Sequence, residues 1–246
     1  METAEYTLRR DRLDDGAETT VYVVRHPLAG LRPRVQLFRQ ARRLDHWCSR
    51  EQVREAIVGG FYLRDPFRPL GEVRVDGEPV AHEPFPEAHR ALRPALHVGG
   101  DGLVIARRGE LPDAPEGDLL QAGPLLVQDD EVVFDRAADV EGFSAASEQF
   151  DSDITEGRHP RAAIGIGDGH LTVAVCDGRR SRIDDGLSLA ETGAVMRDLG
   201  CRVAMNLDGG GSTTLVHRGH LLNRPYSEQD QPAPASRPIV TALLLG

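Results

Sequence analysis

The chain contains no lysine: all 29 of its basic residues are arginine. A GC-rich genome produces the same substitution, but the chemical consequence does not depend on its origin. No Schiff-base lysine exists here, and no lysine of a Walker-type phosphate loop. Cysteine is scarce as well, with Cys48, Cys176 and Cys201 far apart. An odd, widely spaced set supports neither a disulfide framework nor a zinc site. Long apolar runs are missing: nothing approaches the roughly 20 residues that span a bilayer. The opening "METAEYTLRRDRLDD" lacks the apolar stretch of a secretory signal. The expectation is a soluble, cytoplasmic protein. Positive charge is also in deficit, since 39 acidic residues against 29 basic ones give a net charge of −10. That argues against general binding to nucleic acid or anionic membrane, both of which rest on phosphate neutralisation. Anion recognition in this chain must be local.

What remains is an ordinary globular composition, 40% hydrophobic and 28% charged over 246 residues, enough for one domain with a real core. "YTLRR", "TTVYVVRH" and "RVQLF" are rich in β-branched and aromatic residues and read as strands. Over residues 49–57, "SREQVREAI", Ser49 and Gln52 stand at capping-box spacing. Val53, Ala56 and Ile57 share a helical face, so a helix is predicted that Gly59-Gly60 stops. Hairpins are predicted around Asp76-Gly77, Asp101-Gly102 and, most strongly, Asp168-Gly169. Residues 107–118 and 137–158 lack periodicity and read as surface loops, the second long enough for a lid. Ser188 and Glu191 make a second capping box, with Leu189, Thr192, Met196 and Leu199 on one face and Gly200 as the stop. "CRVAMNL", "STTLV" and "RPIVTALLL" are strands. Many strands with two short helices predict an α+β, β-rich single domain over residues 1–246 with mixed or antiparallel sheet. Residues 1–20 are expected to be an N-terminal extension or an edge strand.

The segment "NLDGGGSTTLV" raises the functional question. Glycine loses the most backbone entropy on folding, so three in a row require a special backbone shape or a close approach. Successive glycine N–H groups can converge into an anion-binding nest. Asp208 would place a carboxylate beside it, and Ser212 a hydroxyl donor. A tight turn in which Asp208 bonds its own backbone is the alternative.

The stretch "GLSLAETGAVMRDLGCRVAMNLDGGGSTTLV" also resembles the signature of the phosphodiester glycosidase family. In order along the chain, "AIVGGFY" is similar to that family's Asn-Gly-Gly-Phe-Phe element and "QAGPLLVQDD" to its Gly-Pro-x-Leu-Val segment. "HPRAAIGIGDGHLTVAVCDGR" and the closing "RPIVTALLL" fit too. The likeness runs from about residue 21 to the C-terminus and is densest over residues 161–216, with 161–246 the best-matching core. One position departs: Val58 stands where the family has asparagine.

The resemblance implies hydrolysis of a sugar 1-phosphodiester at the anomeric C–O bond, releasing a phosphomonoester. Such a leaving group has a second pKa of only about 6 and needs little protonation. One carboxylate and a cation on the phosphate then suffice, without the two-carboxylate pair of ordinary glycosidases. Asp208 is the expected base or nucleophile and Arg161 the expected phosphate clamp, because guanidinium reads phosphate bidentately. Glu191 is the second carboxylate candidate, though the capping box already accounts for it. Substrate-binding candidates are Asn206, Gly209, Gly210, Gly211, Ser212, Gly60, Asn223 and Arg237. If Asn206 and Asp208 lie on one strand, they share a face. Asn206 otherwise satisfies buried backbone, Asn223 a turn before proline, and Arg237 a surface ion pair. His159 reads as a surface residue, His217 and His220 as flanks of a hairpin tip, and Cys201 as a packed thiol. No metal and no cofactor are expected, and the partner is a small-molecule or glycan substrate. A glycosidase for unphosphorylated glycosides and a silent carbohydrate- or phosphate-binding protein are the alternatives.

Overall fold

The computed structural model describes residues 4–100, 102–144, 154–225 and 236–246. Its architecture is mainly β, with three principal sheets and three short helices among the described residues. The largest sheet has seven strands in the order β1 (Glu5–Arg12), β2 (Glu18–Pro27), β15 (His170–Cys176), β14 (Arg161–Gly167), β16 (Val203–Asn206), β12 (Leu125–Gln128) and β13 (Glu131–Val132). Every pairing in it is antiparallel. β1 is an edge strand.

Both faces of the central strands β2, β15, β14 and β16 are buried, which explains why they read as nearly continuous apolar runs, whereas the edge strand β1 is exposed and charged. Tyr22, Val24, Ala162, Ile164, Val173 and Val175 point into one core; Val21, Val23, Ala163, Ala174, Cys176 and Ala204 point into another. Helix α3 (Leu189–Asp198) covers the second face through Leu189, Val195 and Met196. Small residues there admit close approach: a β-carbon on Gly165 would stand 2.7 Å from Cys201 Sγ. The predicted capping box of α3 is formed in both directions, and Gly200 takes a positive φ of 83° as its stop.

The first face packs on two further sheets. One orders β10 (Gly102–Arg107), β9 (Pro94–Gly99), β11 (Asp118–Gln121), β7 (Val73–Val75) and β8 (Glu78–Pro79); the other orders β18 (His220–Leu221), β17 (Leu215–His217), β4 (Ala56–Val58), β19 (Ile239–Leu244) and β3 (Arg34–Arg42). A separate two-stranded hairpin joins β5 (Tyr62–Arg64) and β6 (Phe67–Pro69).

The hairpins at Asp76-Gly77 and Asp168-Gly169 form as expected, with positive φ at both turn residues of each. The β9–β10 hairpin also forms, and Gly102, expected in its turn, already pairs with Gly99. Asp101 lies outside the described residues, as do residues 145–153 of the second predicted loop. Within the first predicted loop, Arg108–Glu110 forms a 3-10 turn.

The helix predicted over residues 49–57 is a correction. Helix α1 spans Leu44–Glu51, and Gln52 adopts a left-handed φ of 58° that ends it. Ala56, Ile57 and Val58 are fully buried and form β4 between β17 and β19. A three-residue apolar run buried on both sides is worth more as a central strand than as one face of an exposed helix. Helix α2 (Glu87–Arg90) is a single turn that the sequence pattern did not reveal. Among the described residues no helix is long and apolar enough to cross a membrane.

Candidate active site

The glycine segment is the crossover between two sheets. β16 ends at Asn206, residues 207–214 cross over, and β17 starts at Leu215. Asp208 N–H donates to Gly59 O at 3.0 Å, so the two glycine motifs, about 150 residues apart in sequence, meet through a backbone hydrogen bond. Gly59 and Gly60 are there for close packing. A β-carbon on Gly59 would stand 2.5 Å from Thr241 Oγ1, and one on Gly60 would stand 3.0 Å from Gln121 O. Gly60 N–H donates to Thr241 Oγ1.

The open amide nest is not what forms. Gly209 N–H donates to the Asp208 carboxylate at 2.9 Å and Gly210 N–H to Pro160 O at 2.7 Å. Two of the three expected donors are therefore committed inside the chain. What the missing side chains admit instead is arginine. A β-carbon on Gly209 would lie 3.9 Å from Arg161 Cδ and 2.9 Å from Pro160 O. One on Gly210 would lie 3.0 Å from Arg179 Nη2, and one on Gly211 2.9 Å from Arg237 Nη2. Each glycine has one arginine against it, and Arg179 gave no signal in the sequence beyond following Gly178.

Asp208 stands at the centre of this arrangement. Burial pushes its carboxyl up to about 6, while the Ser212 hydroxyl, Arg237, the Gly209 N–H and Arg64 hold it down. Ser212 Oγ is fully buried and makes no hydrogen bond of normal geometry, although it lies beside Asp208 and Tyr62. The Tyr62 hydroxyl donates to Pro238 O at 2.8 Å, next to Arg237, whose N–H donates to Gly211 O. Burial and the Asp208 charge both raise the Tyr62 pKa. Tyr62, the last residue of "AIVGGFY", and Arg64, which carried no recognisable site pattern, sit on the short β5–β6 hairpin.

Arg161 lies under the loop. It is 5% exposed, its Nε donates to Leu187 O at 3.0 Å and its Nη2 to Gly157 O at 3.3 Å. Burial lowers its pKa to about 10. Glu191 is the N3 residue of α3. Its Oε2 accepts from Ser188 N–H at 2.8 Å, and both its oxygens accept from Arg158 Nε at 3.0 Å.

Asn206 and Asp208 do not share a strand face, because the strand stops between them. Asn206 Nδ2 donates to Gly123 O and Leu207 O, and its buried Oδ1 has no hydrogen-bond partner. Asn223 clamps the exit of the glycine segment: its Oδ1 accepts from Leu215 N–H and its Nδ2 donates to Thr213 O. Val58, at the position of the family asparagine, is fully buried in the main core. His159 is half-buried rather than on the surface, with Nε2 against Glu156 O. His217 and His220 face each other across a hairpin, but His217 Nδ1 is taken by Glu55. Among the described residues no cluster of three or more histidine, cysteine or acidic groups is arranged to hold a metal. All three cysteines are buried thiols; burial raises Cys201 to about 11.

The phosphodiester glycosidase family model matches residues 51–245, which includes both glycine motifs, Asp208 and Arg237. The chain belongs to the phosphodiester glycosidase family. Similar solved structures agree in fold. The catalytic domain of zebrafish N-acetylglucosamine-1-phosphodiester alpha-N-acetylglucosaminidase, auto-inhibited by its pro-peptide, superposes with a TM-score of 0.72 at 18% identity, covering 98% of this chain and 82% of that one. A hypothetical protein from Synechocystis gives 0.71 at 18% identity, covering all of this chain and 62% of that one, so the chain spans under two thirds of its length. No curated protein matches the sequence significantly.

Proposed function

We propose that this phosphodiester glycosidase family member hydrolyses a sugar 1-phosphodiester at the anomeric C–O bond, giving a free sugar and a phosphomonoester. The observation that carries the reading is the set of arginines packed against successive glycines beside one carboxylate of raised pKa. Guanidinium suits phosphate because its planar N–H fork matches two oxygens at once. Arg237 and Arg179, each at the bare side of a glycine, are the phosphate contacts in this scheme. Arg161, buried and spent on two carbonyls, supports the loop from below and adds positive potential.

Asp208 supplies the carboxylate for the oxocarbenium-like centre, as base toward water or as nucleophile. A pKa near 6 keeps it ionised at neutral pH yet poised close to it. Phosphate leaves readily with its charge held by the arginines, so a strong general acid is unnecessary. Glu191 is assigned to the helix cap and to Arg158 in this scheme, because its oxygens are already engaged there.

The test is turnover of purified protein against sugar 1-phosphodiesters and aryl glycosides, with Asp208→Asn as control. Phosphate-dependent hydrolysis, lost by several orders of magnitude in the variant, supports the proposal. Turnover of unphosphorylated glycosides alone, or binding without turnover, rejects it in favour of a simple glycosidase or a silent binding protein.

A further inference from the structure

The β5–β6 hairpin carries side chains that the chemistry above leaves unused. In an antiparallel pair, directly opposed residues point to the same face, and so do residues two apart on one strand. The register sets Tyr62 opposite Pro69 and Arg64 opposite Phe67. Tyr62, Arg64, Phe67 and Pro69 therefore occupy one face, while Leu63 and Arg68 occupy the other, where Arg68 pairs with Glu83.

Two members of the first set locate that face. The Tyr62 hydroxyl donates to Pro238 O at 2.8 Å, and the adjacent Arg237 backbone N–H donates to Gly211 O at 2.9 Å, which seats Tyr62 beside the glycine segment. Tyr62 and Arg64 both lie within electrostatic reach of Asp208. The hairpin thus turns its Tyr62–Arg64–Phe67 face toward the catalytic carboxylate. Phe67 stacks on Tyr62 with ring centroids 6.0 Å apart and planes inclined by 29°, yet remains 52% exposed. It is an aromatic ring, backed by a second ring and half open to solvent, on the same hairpin face as Tyr62, which reaches the glycine segment.

We infer that Phe67, backed by Tyr62, is the platform on which the glycosyl ring of the substrate stacks. The inference rests on the glycosidase reading above. Arg237 and Arg179 hold the phosphate on the glycine side, and the anomeric carbon must sit at Asp208. The ring attached to that carbon then extends away from the glycine segment, toward this hairpin. A pyranose presents an apolar C–H face, and an aromatic side chain is the surface that buries it while leaving the hydroxyls at the rim to water. Arg64, opposite Phe67, borders the same ring and reaches its hydroxyls.

The experiment compares wild type, Phe67→Ala and Phe67→Tyr on a matched pair of N-acetylglucosamine 1-phosphodiesters with methyl and phenyl aglycones. Phe67→Ala is expected to raise KM about tenfold on both substrates with kcat nearly unchanged, because stacking lost equally in ground and transition states moves KM alone. Phe67→Tyr is expected to restore KM. An unchanged KM, or a loss confined to the phenyl substrate, overturns the inference. Calorimetric binding of N-acetylglucosamine 1-phosphate separates it from the reading it rests on. Equal affinity in wild type and Phe67→Ala removes the platform alone. Neither binding nor turnover by wild type removes the glycosidase reading, and the platform with it.

Discussion

Arg237 lays its guanidinium against Gly211: a β-carbon at that glycine would stand 2.9 Å from Nη2, 3.1 Å from Cζ and 3.2 Å from Nε. The contact is held at its base by Arg237 N–H donating to Gly211 O at 2.9 Å. A glycine whose bare side is occupied by a guanidinium has a reason to stay glycine that is not conformational.

Gly211→Ala should therefore separate activity from stability. Its φ is not positive, and the side chain it would meet has a flexible end, so the arginine can swing aside. Melting temperature is expected to fall by only about 1–3 °C. Turnover of a sugar 1-phosphodiester should fall about 10–100-fold, since the displaced guanidinium no longer meets the phosphate. Gly209→Ala behaves differently, because its β-carbon would press on Pro160 O at 2.9 Å, a backbone atom that cannot swing away. A large stability loss is expected there, and full activity in Gly211→Ala would remove Arg237 from the phosphate site.

Asp208 makes an opposite prediction for stability. Its folded pKa of about 6 lies above the ordinary 3.8, so the folded state binds the proton more tightly. Stability then declines as pH rises between those two values. Asp208→Asn carries no such penalty. The variant should match wild type near pH 4 and exceed it at pH 8 by about 1–3 kcal/mol, while losing activity. Wild-type kcat/KM should rise with pH through an apparent pKa near 6 if the ionised carboxylate does the work. Denaturant melts at the two pH values and a pH–rate profile check both halves. An Asn variant less stable at pH 8 would show that the carboxylate is a net stabiliser.

For Glu191, replacement by Gln keeps the capping geometry and discards only the charge toward Arg158. Because that ion pair is partly exposed, the change should cost about 0–1 kcal/mol, and kcat should stay within about threefold. A hundredfold rate loss at unchanged melting temperature would move Glu191 into the chemistry.

Asn223 is a positioning residue in the geometry seen here. Its two buried hydrogen bonds fix the backbone of Thr213 and Leu215, just past the glycines. Asn223→Ala leaves an amide N–H and a carbonyl unpaired and should cost about 2–3 kcal/mol in chemical denaturation. A loss below about 0.5 kcal/mol would mean that water replaces both bonds.

Local pattern was enough wherever one short segment contains both halves of a device. The Asp168-Gly169 turn, the Ser188–Glu191 capping box and the Gly200 stop are each complete within a few residues, and each formed. The failure at residues 49–57 has the same logic in reverse. Helical spacing there was real, but Ala56, Ile57 and Val58 are claimed by β17 and β19, which come more than 150 residues later. Arg179, Arg64 and Phe67 were illegible for a related reason: none is adjacent in sequence to Asp208.

By itself, the sequence determined the chemistry available: arginine as the sole strong cation, three widely spaced cysteines without a disulfide or zinc pattern, and a carboxylate beside three bare residues. It also fixed the local turns, because backbone conformation there depends on the side chains within one turn. Only the tertiary structure decided what the glycines are for. The amides of Gly209 and Gly210 close on Asp208 and Pro160 instead of opening to an anion, and Arg179 and Arg237, from two other segments, fill the space that β-carbons on Gly210 and Gly211 would occupy. Which side chain fills a gap depends on how the sheets pack, and that is a property of the whole chain.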